Sequence, residues 1–445
     1  MLPLWRTSDA GFRAAFAALM GRLSLSEGLR AAGAADREPP EEAVRRIVED
    51  VRKRGDAALV EHTERLDRCR LTPAEFRVTP DEIAQAVARC PQEFLSALRF
   101  AAQRIRRFQE AVLLRDPKPV RERGRVLSLR YRPVDSAGVY IPGGTASLAS
   151  TVLMAAVPAR VAGVRRVVMA TPPRSDGTVS DDRLAAAQIA GVDEVYRLGG
   201  ACAIAALAYG TESVPHVDFI AGPGNIYVTL AKKLVYGQVG IEMLPGPSEV
   251  VIIADGSASP AYVAADMLAQ AEHNPGSSIL LTDSAELAAA VCRAAQEQSA
   301  SLARGDAARS CMERYGAAIV CRSLDECVDL ANEIAPEHLE IHTEEPDGVA
   351  DRVRHAAAIF IGPWSPVAVG DYVAGPSHIL PTSGTARFSS GLCANDFLKG
   401  ASVIRYSRKA LTEDAPALGQ MARAEGLDGH AQSVERRLGR ARRRK

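Results

Sequence analysis

The chain has 445 residues, of which 47% are hydrophobic and 24% charged, a composition typical of a globular protein with a substantial core. Lysine plus arginine equals aspartate plus glutamate at 54 residues each, so the charge balance favours neither a nucleic-acid binder nor a protein held on a membrane surface. Single cysteines without a C-x-x-C motif, and no window of about 18 apolar residues, predict a cytoplasmic protein with neither a cysteine-rich zinc site nor a membrane span.

The N-terminal part of the chain is predicted to be helical. The first 35 residues carry a weak helical pattern. A clearer amphipathic helix follows Pro39-Pro40, because four apolar residues between Val44 and Val51 recur at the spacing of one helix face. More helix is predicted from Pro80 to about Val112, followed by a strand from Gly124 to Arg132.

From Val134 onward, short apolar strands alternate with helices, a pattern typical of mostly parallel, doubly wound sheets. There are too many such units for one sheet, so we predict an α/β protein with two incomplete Rossmann-like domains and small helical N- and C-terminal appendages. The basic end from Arg436 to Lys445 is interpreted as a solvated helix end. The predicted boundaries are 1–35 for the N-terminal segment, 36–125 with 247–385 for one α/β domain, 126–246 for the other, and 386–445 for the C-terminal appendage.

Three glycine turns follow successive predicted strands, at Tyr140–Gly144, Gly199-Gly200 and Gly222–Asn225. Glycine lets backbone N–H groups approach an anion at the N-terminus of the next helix. None of the three matches G-x-G-x-x-G, and each alone is more typical of an ordinary turn. Together they favour a nucleotide site, because open α/β sheets bind ligands at strand ends of this kind.

Two short motifs carry candidate metal-binding or acid/base groups. Gln270 and His273 lie three residues apart and share a helix face, although glutamine is an unusual zinc ligand and the pair alone favours a structural interpretation. Glu337 and His338 follow a predicted helix, and a carboxylate beside an imidazole is a plausible acid/base pair. Two unrelated surface groups are an equally good interpretation of that second motif.

Two further segments contain possible ligands. Asp371 and His378 lie in a glycine-rich loop and offer an oxygen and a nitrogen to a metal. Glu425 and His430 lie near the C-terminus, where the sequence alone indicates only a helix with a turn. The other histidines lack comparable settings and are interpreted as structural or surface residues: His62, His216, His342 and His355.

Taken together, these segments resemble the histidinol dehydrogenase family from about Glu42 to Arg437, in both order and spacing. The most specific stretches are Tyr140–Gly144, Gly222–Asn225, Gly246–Glu249, Gln270–His273, Pro336–His338, Gly370–Tyr372, His378–Pro381 and Phe388–Leu392.

The resemblance implies a set of site residues. One zinc ion per subunit would be held by Gln270, His273, Asp371 and His430. NAD would be contacted by Tyr140, Asn225 and the residue at position 202, where this chain has Cys202 and the family usually has glutamine. The substrate would be contacted by the four zinc ligands and His338, together with Ser248, His378 and Glu425.

The resemblance also implies the reaction and the assembly. L-histidinol would be oxidised through L-histidinaldehyde to L-histidine with two NAD+, the last steps of histidine biosynthesis. His338 would accept the hydroxyl proton and Glu337 would activate the water that hydrates the aldehyde. A homodimer would exchange its C-terminal segments, so that Glu425 and His430 complete the partner's site. The alternatives are a family relative that oxidises another amino alcohol or diol, and a zinc hydrolase.

Overall fold

The structure is a computed structural model that describes residues 2–23, 38–144, 147–272 and 276–439. The strands are β1 Leu4–Arg6, β2 Val120–Glu122, β3 Arg125–Pro133, β4 Ser136–Tyr140, β5 Arg166–Thr171, β6 Glu194–Arg197, β7 Phe219–Ala221, β8 Gly240–Ile241, β9 Ser248–Ala254, β10 Gly276–Thr282, β11 Ala317–Val320, β12 His338–His342, β13 Ala358–Ile361 and β14 Leu398–Tyr406. The α-helices are α1 Phe12–Leu23, α2 Pro40–Arg54, α3 Asp56–Leu66, α4 Pro80–Arg89, α5 Gln92–Val112, α6 Ala149–Ala162, α7 Asp181–Ala190, α8 Gly200–Tyr209, α9 Ile226–Val235, α10 Pro260–Ala271, α11 Ala285–Ser299, α12 Gly305–Tyr315, α13 Leu324–Ile334, α14 Pro346–Ala350, α15 Val367–Tyr372, α16 Arg408–Ala424 and α17 Asp428–Arg437.

The chain divides into two compact units. The first comprises Met1–Val112 with Val134–Phe397, and the second comprises Leu113–Pro133 with Leu398–Lys445. Among the described residues, no helix combines the length and apolarity needed to cross a lipid bilayer.

The first unit contains a parallel five-stranded sheet with strand order β6-β5-β4-β7-β8. The chain runs outward from β4 to β6 and then returns to lay β7 on the other side of β4. The strand order therefore reverses between β4 and β7, and in such sheets ligands bind at the carboxyl ends of the strands at that position. Helices α2 and α3 pack with α8 and α9 in the core of this sheet, so residues 44–76 belong with it and not with 247–385, where the sequence analysis grouped them.

The same unit contains a parallel six-stranded sheet with strand order β1-β11-β10-β9-β12-β13. Its central strands are buried on both faces, which explains their continuous runs of apolar residues. One face packs on α10, α11 and α12, and the other on α1 and α13. The order reverses between β9 and β12, so the first residues of these two strands, Ser248 and His338, lie at the same edge of the sheet.

The second unit is an antiparallel sheet of order β14-β3-β2 followed by α16 and α17. Arg125 on β3 donates from Nε to Asp414 on α16 at 2.9 Å, which ties the sheet to the helices of this unit.

The predicted α/β class with mostly parallel sheets is confirmed, but some strands were not predicted, among them β1, β2 and β14. β1 falls in the 35-residue segment expected to be helical, of which residues 24–35 lie outside the described part. β14 falls in the appendage expected to be only helical.

Candidate active site

A cavity of about 560 Å³ lies at the carboxyl ends of the strands of the five-stranded sheet. All three glycine turns predicted from the sequence contribute to its wall, since the lining residues include Tyr140, Gly143, Gly200 and Asn225. Tyr140 ends β4, Gly143 lies in the turn after it, Gly200 begins α8 and Asn225 caps α9. The cavity therefore occupies the position where the strand order reverses. Its volume lies within the range of about 300–1,000 Å³ that ligand pockets usually have.

The side chain of Tyr140 forms a hydrogen bond with the backbone of the second glycine turn. Its hydroxyl oxygen accepts a hydrogen bond of 2.9 Å from the N–H of Gly200, the first residue of α8. Burial raises the pKa of Tyr140 well above its usual value, so the phenol stays neutral. Tyr140 therefore satisfies one of the free N–H groups of the helix N-terminus while its ring lines the cavity.

Asn225 begins α9. Its Oδ1 accepts from the N–H groups of Tyr227 and Val228 at 3.1 and 3.2 Å, the arrangement of an N-cap. The turn before it requires glycine at Gly222, whose φ is +130° and where an added Cβ would lie 2.1 Å from the carbonyl oxygen of Tyr140. The turn can thus pass directly over the end of β4.

A buried ion pair between Lys232 and Glu242 forms hydrogen bonds to the backbone of this turn. The Nζ of Lys232 donates to Glu242 at 2.6 Å and to the carbonyl oxygen of Gly222 at 3.1 Å. The same Glu242 oxygen accepts from the N–H of Gly222 at 2.8 Å. The side chains of Lys232 and Glu242 are 0% and 1% exposed, so both backbone groups of Gly222 are fixed by charges that water does not reach.

Cys202 does not line the cavity. It is completely buried in α8, and its thiol donates to the carbonyl oxygen of Gly199 at 2.9 Å. Burial raises the pKa of Cys202 to about 12, so the sulfur is not a reactive thiolate.

Sequence reasoning missed charged residues that do line the cavity, namely Arg46 on α2 and the Arg65 and Asp67 side chains near the end of α3. Burial raises the pKa of Asp67 to about 6. The signal available in the sequence was weak, because Arg46 and Arg65 sit on the polar faces of amphipathic helices, where arginine is common.

A second set of polar side chains meets at the amino ends of β9 and β12. Gln270, near the end of α10, donates from Nε2 to Ser248 Oγ at 2.7 Å. Ser248 Oγ donates to Glu337 Oε2 at 2.5 Å, and the N–H of Glu249 donates to the same oxygen at 2.9 Å. The sequence alone could not decide whether Glu337 and His338 belong to one site. In the fold they do, with His338 Nδ1 at 3.5 Å from Glu337 Oε2.

The hydrogen bonding of His338 fixes its tautomer. Its Nδ1 lies 3.1 Å from the carbonyl oxygen of Glu249. A carbonyl oxygen only accepts, so Nδ1 carries the proton and Nε2 carries a lone pair. Burial lowers the pKa of His338, although the charge of Asp371 opposes that shift. The imidazole is therefore neutral near pH 7 and can accept a proton at Nε2.

Two buried carboxyl groups near the amino ends of β9 and β12 have raised pKa values. Burial raises the pKa of Glu337 to about 8, the charge of Asp371 adds to the effect, and the hydrogen bond from Ser248 opposes it. Burial also raises the pKa of Glu249 to about 8, with a further contribution from the charge of Glu337. A carboxyl group whose pKa lies near the working pH suits general acid/base catalysis.

Asp371 and His378 are held together at the end of α15. His378 Nδ1 lies 2.9 Å from the backbone carbonyl oxygen of Asp371, and its Nε2 lies 3.0 Å from Thr151 Oγ1 on α6. Both side chains are half-buried. Thr151 is a further residue at this site that the sequence patterns did not single out.

Three predicted site residues remain. His273 lies outside the described residues. Glu425 and His430 are exposed on the second unit, at the end of α16 and the start of α17.

Comparison with known proteins identifies the relatives of this fold. The family described as "Histidinol dehydrogenase" matches residues 31–438, a range that contains every predicted site residue. The chain is 52% identical over 398 residues to the histidinol dehydrogenase of a Synechococcus species, covering 89% of this chain and 92% of that protein. It is 49% identical over 402 residues to the histidinol dehydrogenase of Geobacillus kaustophilus, covering 90% of this chain and 94% of that protein.

The chain belongs to the histidinol dehydrogenase family. The fold agrees with this membership, because the crystal structure of histidinol dehydrogenase from Elizabethkingia anophelis aligns with a TM-score of 0.90 at 33% identity over 98% of both chains. The predicted resemblance is confirmed, and with it the classification of the protein as an oxidoreductase.

The hydrogen bond from the N–H of Gly200 to the hydroxyl of Tyr140 is expected to stabilise the wall of the cavity. We expect Tyr140→Phe to lower the free energy of unfolding by about 1 kcal/mol, because the N–H of Gly200 loses its acceptor at a site that water can partly reach. Urea unfolding measures the change. Tyr227→Phe is the matched control, since Tyr227 lines the same cavity and its hydroxyl makes no hydrogen bond among the described residues. An equal loss in both variants would contradict the capping role.

Proposed function

We propose that the protein oxidises L-histidinol through L-histidinaldehyde to L-histidine with two NAD+, the final steps of histidine biosynthesis. The observation that carries the proposal is the chain of hydrogen bonds from Gln270 through Ser248 to Glu337, beside a neutral His338 whose Nε2 is unprotonated. It combines a proton acceptor for an alcohol with a carboxyl group suited to activating water. Family membership supports the substrate, since the relatives named above are histidinol dehydrogenases.

The cavity at the five-stranded sheet fits the expected NAD. It has the volume of a ligand pocket, it lies where the strand order reverses, and the N-termini of α8 and α9 begin at its wall. Tyr140 and Asn225 would position those helix ends. Cys202 would act only through the packing of α8. Bound NAD+ would supply the hydride acceptor for both oxidation steps.

The expected zinc ion fits the residues that are described. Gln270 uses its amide nitrogen to donate to Ser248, so its oxygen is the atom it can offer to a cation. Asp371 offers a carboxylate that is half-buried. His273 and His430 would complete the proposed set of two nitrogens and two oxygens, a donor set that zinc accepts. Bound zinc would supply a fixed positive charge that orients the amino alcohol.

His338 takes the first proton in the proposed reaction. As a hydride leaves the carbinol carbon, the hydroxyl proton passes to Nε2 of His338, while Nδ1 remains bonded to the carbonyl oxygen of Glu249. Ser248 and His378 would hold the substrate's polar groups together with the partner's Glu425. In the proposed mechanism the aldehyde is hydrated beside the same imidazole, without leaving the site.

Glu337 acts in the second half of the reaction. Its carboxylate accepts a proton from the water that adds to the aldehyde, and Ser248 and the N–H of Glu249 stabilise the ionised form. His338 again accepts a hydroxyl proton as the second hydride departs from the hydrate. The pKa of about 8 for Glu337 means that this step gains rate as the pH rises toward that value.

We also propose a homodimer in which the C-terminal segment 386–445 completes the partner's site through Glu425 and His430. Edge strand β13 carries exposed Ile359 and Ile361 next to Trp364, which is 81% exposed, and an apolar sheet edge of this kind is usually covered in a stable protein. In this arrangement 126–246 binds NAD and 247–385 carries most of the metal and substrate site. All eight cysteines are free, which is consistent with a reducing cytoplasm.

The direct test is reduction of NAD+ by the purified protein supplied with L-histidinol and zinc. We expect turnover with L-histidinol, far less with simple diols, and none after treatment with a chelator until zinc is restored. Asp371→Asn should lose both activity and bound zinc. Absence of NAD+ reduction by the zinc-loaded protein would refute the function, and preference for a diol would point to a different substrate.

Glu337→Gln tests the division of labour. We expect it to slow oxidation of L-histidinaldehyde by about 10²–10⁴-fold while leaving the first hydride transfer much less affected, because only the second step needs activated water. Stopped-flow measurement with each substrate separates the two. In the unmodified protein the aldehyde rate should rise with pH up to about 8, as Glu337 loses its proton, and this rise should vanish in the variant. Equal loss of both steps would reject the assignment.

A further inference from the structure

Three ionisable side chains meet between α10 and β12, away from the groups used above. Asp266 comes from α10, and Glu340 and His342 come from β12. Their candidate ligand atoms all lie within 4.8 Å of one another. The alternation of a strand puts Glu340 and His342 on the same face as His338, and Asp266 lies one helical turn before Gln270. The cluster is therefore built on the same two elements as the proposed active site.

Three buried atoms of this cluster make no hydrogen bond among the described residues. Glu340 is 0% exposed and His342 is 3% exposed. Within the described part of the chain, both ring nitrogens of His342 and the Oε2 of Glu340 make no hydrogen bond. The other oxygen of Glu340 accepts from the N–H of Val367 at 2.7 Å, which fixes the carboxylate and leaves Oε2 directed at the cluster. Buried polar atoms without partners are costly, and an unfilled ligand position is one explanation for them.

We propose that Asp266, Glu340 and His342 form a second divalent-cation site that holds α10 against β12. His342 Nε2 lies 3.5 Å from Glu340 Oε2 and 3.9 Å from Asp266 Oδ2. Metal–ligand bonds of about 2.0–2.2 Å place neighbouring tetrahedral ligands about 3.4 Å apart, close to these spacings. One imidazole nitrogen and two carboxylate oxygens suit Zn²⁺ or Mn²⁺. A cation here would satisfy Glu340 Oε2 and one ring nitrogen of His342 together.

The charge of the cluster favours a cation. The carboxylates of Asp266 and Glu340 share this buried site and repel each other when both are charged. A bound cation relieves that repulsion without a proton. The side chain of Asp266 is 15% exposed, so an ion has a route from solvent to the site. The expected role of the site is structural, because its ligands join α10, through Asp266, to β12, through Glu340 and His342.

Metal content of the intact protein tests the proposal and separates it from the proposed catalytic zinc. After zinc loading and desalting, we expect about two zinc ions per chain in the unmodified protein by plasma mass spectrometry. We expect about one in Glu340→Gln, one in Asp266→Asn, one in Asp371→Asn, and none in Glu340→Gln combined with Asp371→Asn. Asp329→Asn, which removes an exposed carboxylate from α13, should retain two.

Retention of the full metal content by both Glu340→Gln and Asp266→Asn would overturn the proposal. If Asp371→Asn instead keeps its metal while Glu340→Gln loses one ion, the second site stands and the catalytic zinc assignment fails. Circular dichroism confirms that each variant is folded. As a second measurement, added zinc should raise the melting temperature of Asp371→Asn but not that of the double variant.

Discussion

Replacement of His338 by asparagine is expected to lower kcat for NAD+ reduction with L-histidinol by about 10²–10⁴-fold. Asparagine has an amide N–H near the position of Nδ1, so it can still donate to the carbonyl oxygen of Glu249. It has no group in place of Nε2, the atom that the proposed mechanism uses to accept the hydroxyl proton. The loss should therefore appear in kcat for both oxidation steps, with KM and the melting temperature little changed.

The matched control for this variant is His355→Asn. His355 lies on the same unit, is half-buried, and is not part of either polar cluster. We expect the control to retain the activity of the unmodified protein. Steady-state kinetics with L-histidinol and with L-histidinaldehyde provide the comparison. Activity of His338→Asn within threefold of the control would show that another group accepts the proton.

The strands that could be predicted from the sequence are those buried on both faces of a sheet, because such strands contain continuous runs of apolar residues. Strands such as β9 and β10 read as apolar runs because no side of them faces water. β14 shows no such apolar run, because most of its residues are exposed. It is stabilised by backbone pairing with β3, in which Lys399 lies opposite Arg132, a residue far away in the sequence. β1 has only three residues and depends equally on its partner β11.

Candidate site residues could be proposed from the sequence, but their geometry could not. Adjacent residues such as Glu337 and His338 can point apart. Here β12 pairs with β9, so that Glu337 contacts Ser248 and His338 contacts the carbonyl oxygen of Glu249. Cys202 could be recognised as a departure from the family, but not as a thiol turned away from the cavity. His342 was interpreted as structural because its partners, Glu340 and Asp266, come together only when α10 packs on the sheet.

Replacement of Lys232 by methionine is expected to lower the free energy of unfolding by about 3–5 kcal/mol, the usual cost of leaving one member of a buried ion pair without its partner. Methionine fills the space of the lysine stem, so a packing defect contributes little. Glu242, whose side chain is 1% exposed, would then be buried without a counterion. Urea unfolding measures the loss, and the exposed pair of Lys53 with Glu49 supplies a control, because Lys53→Met should leave the unfolding midpoint unchanged.

The second substitution Glu242→Gln should restore much of the stability lost in Lys232→Met. The glutamine removes the uncompensated charge, while its Oε1 can still accept from the N–H of Gly222. The carbonyl oxygen of Gly222 nevertheless loses its bond from Lys232, so the turn before Asn225 is held at only one of its two backbone groups. The double variant should therefore regain stability but bind NAD+ more weakly than the unmodified protein, as measured by titration calorimetry. If the double variant is as unstable as Lys232→Met alone, the buried charge of Glu242 is not the cause of the loss.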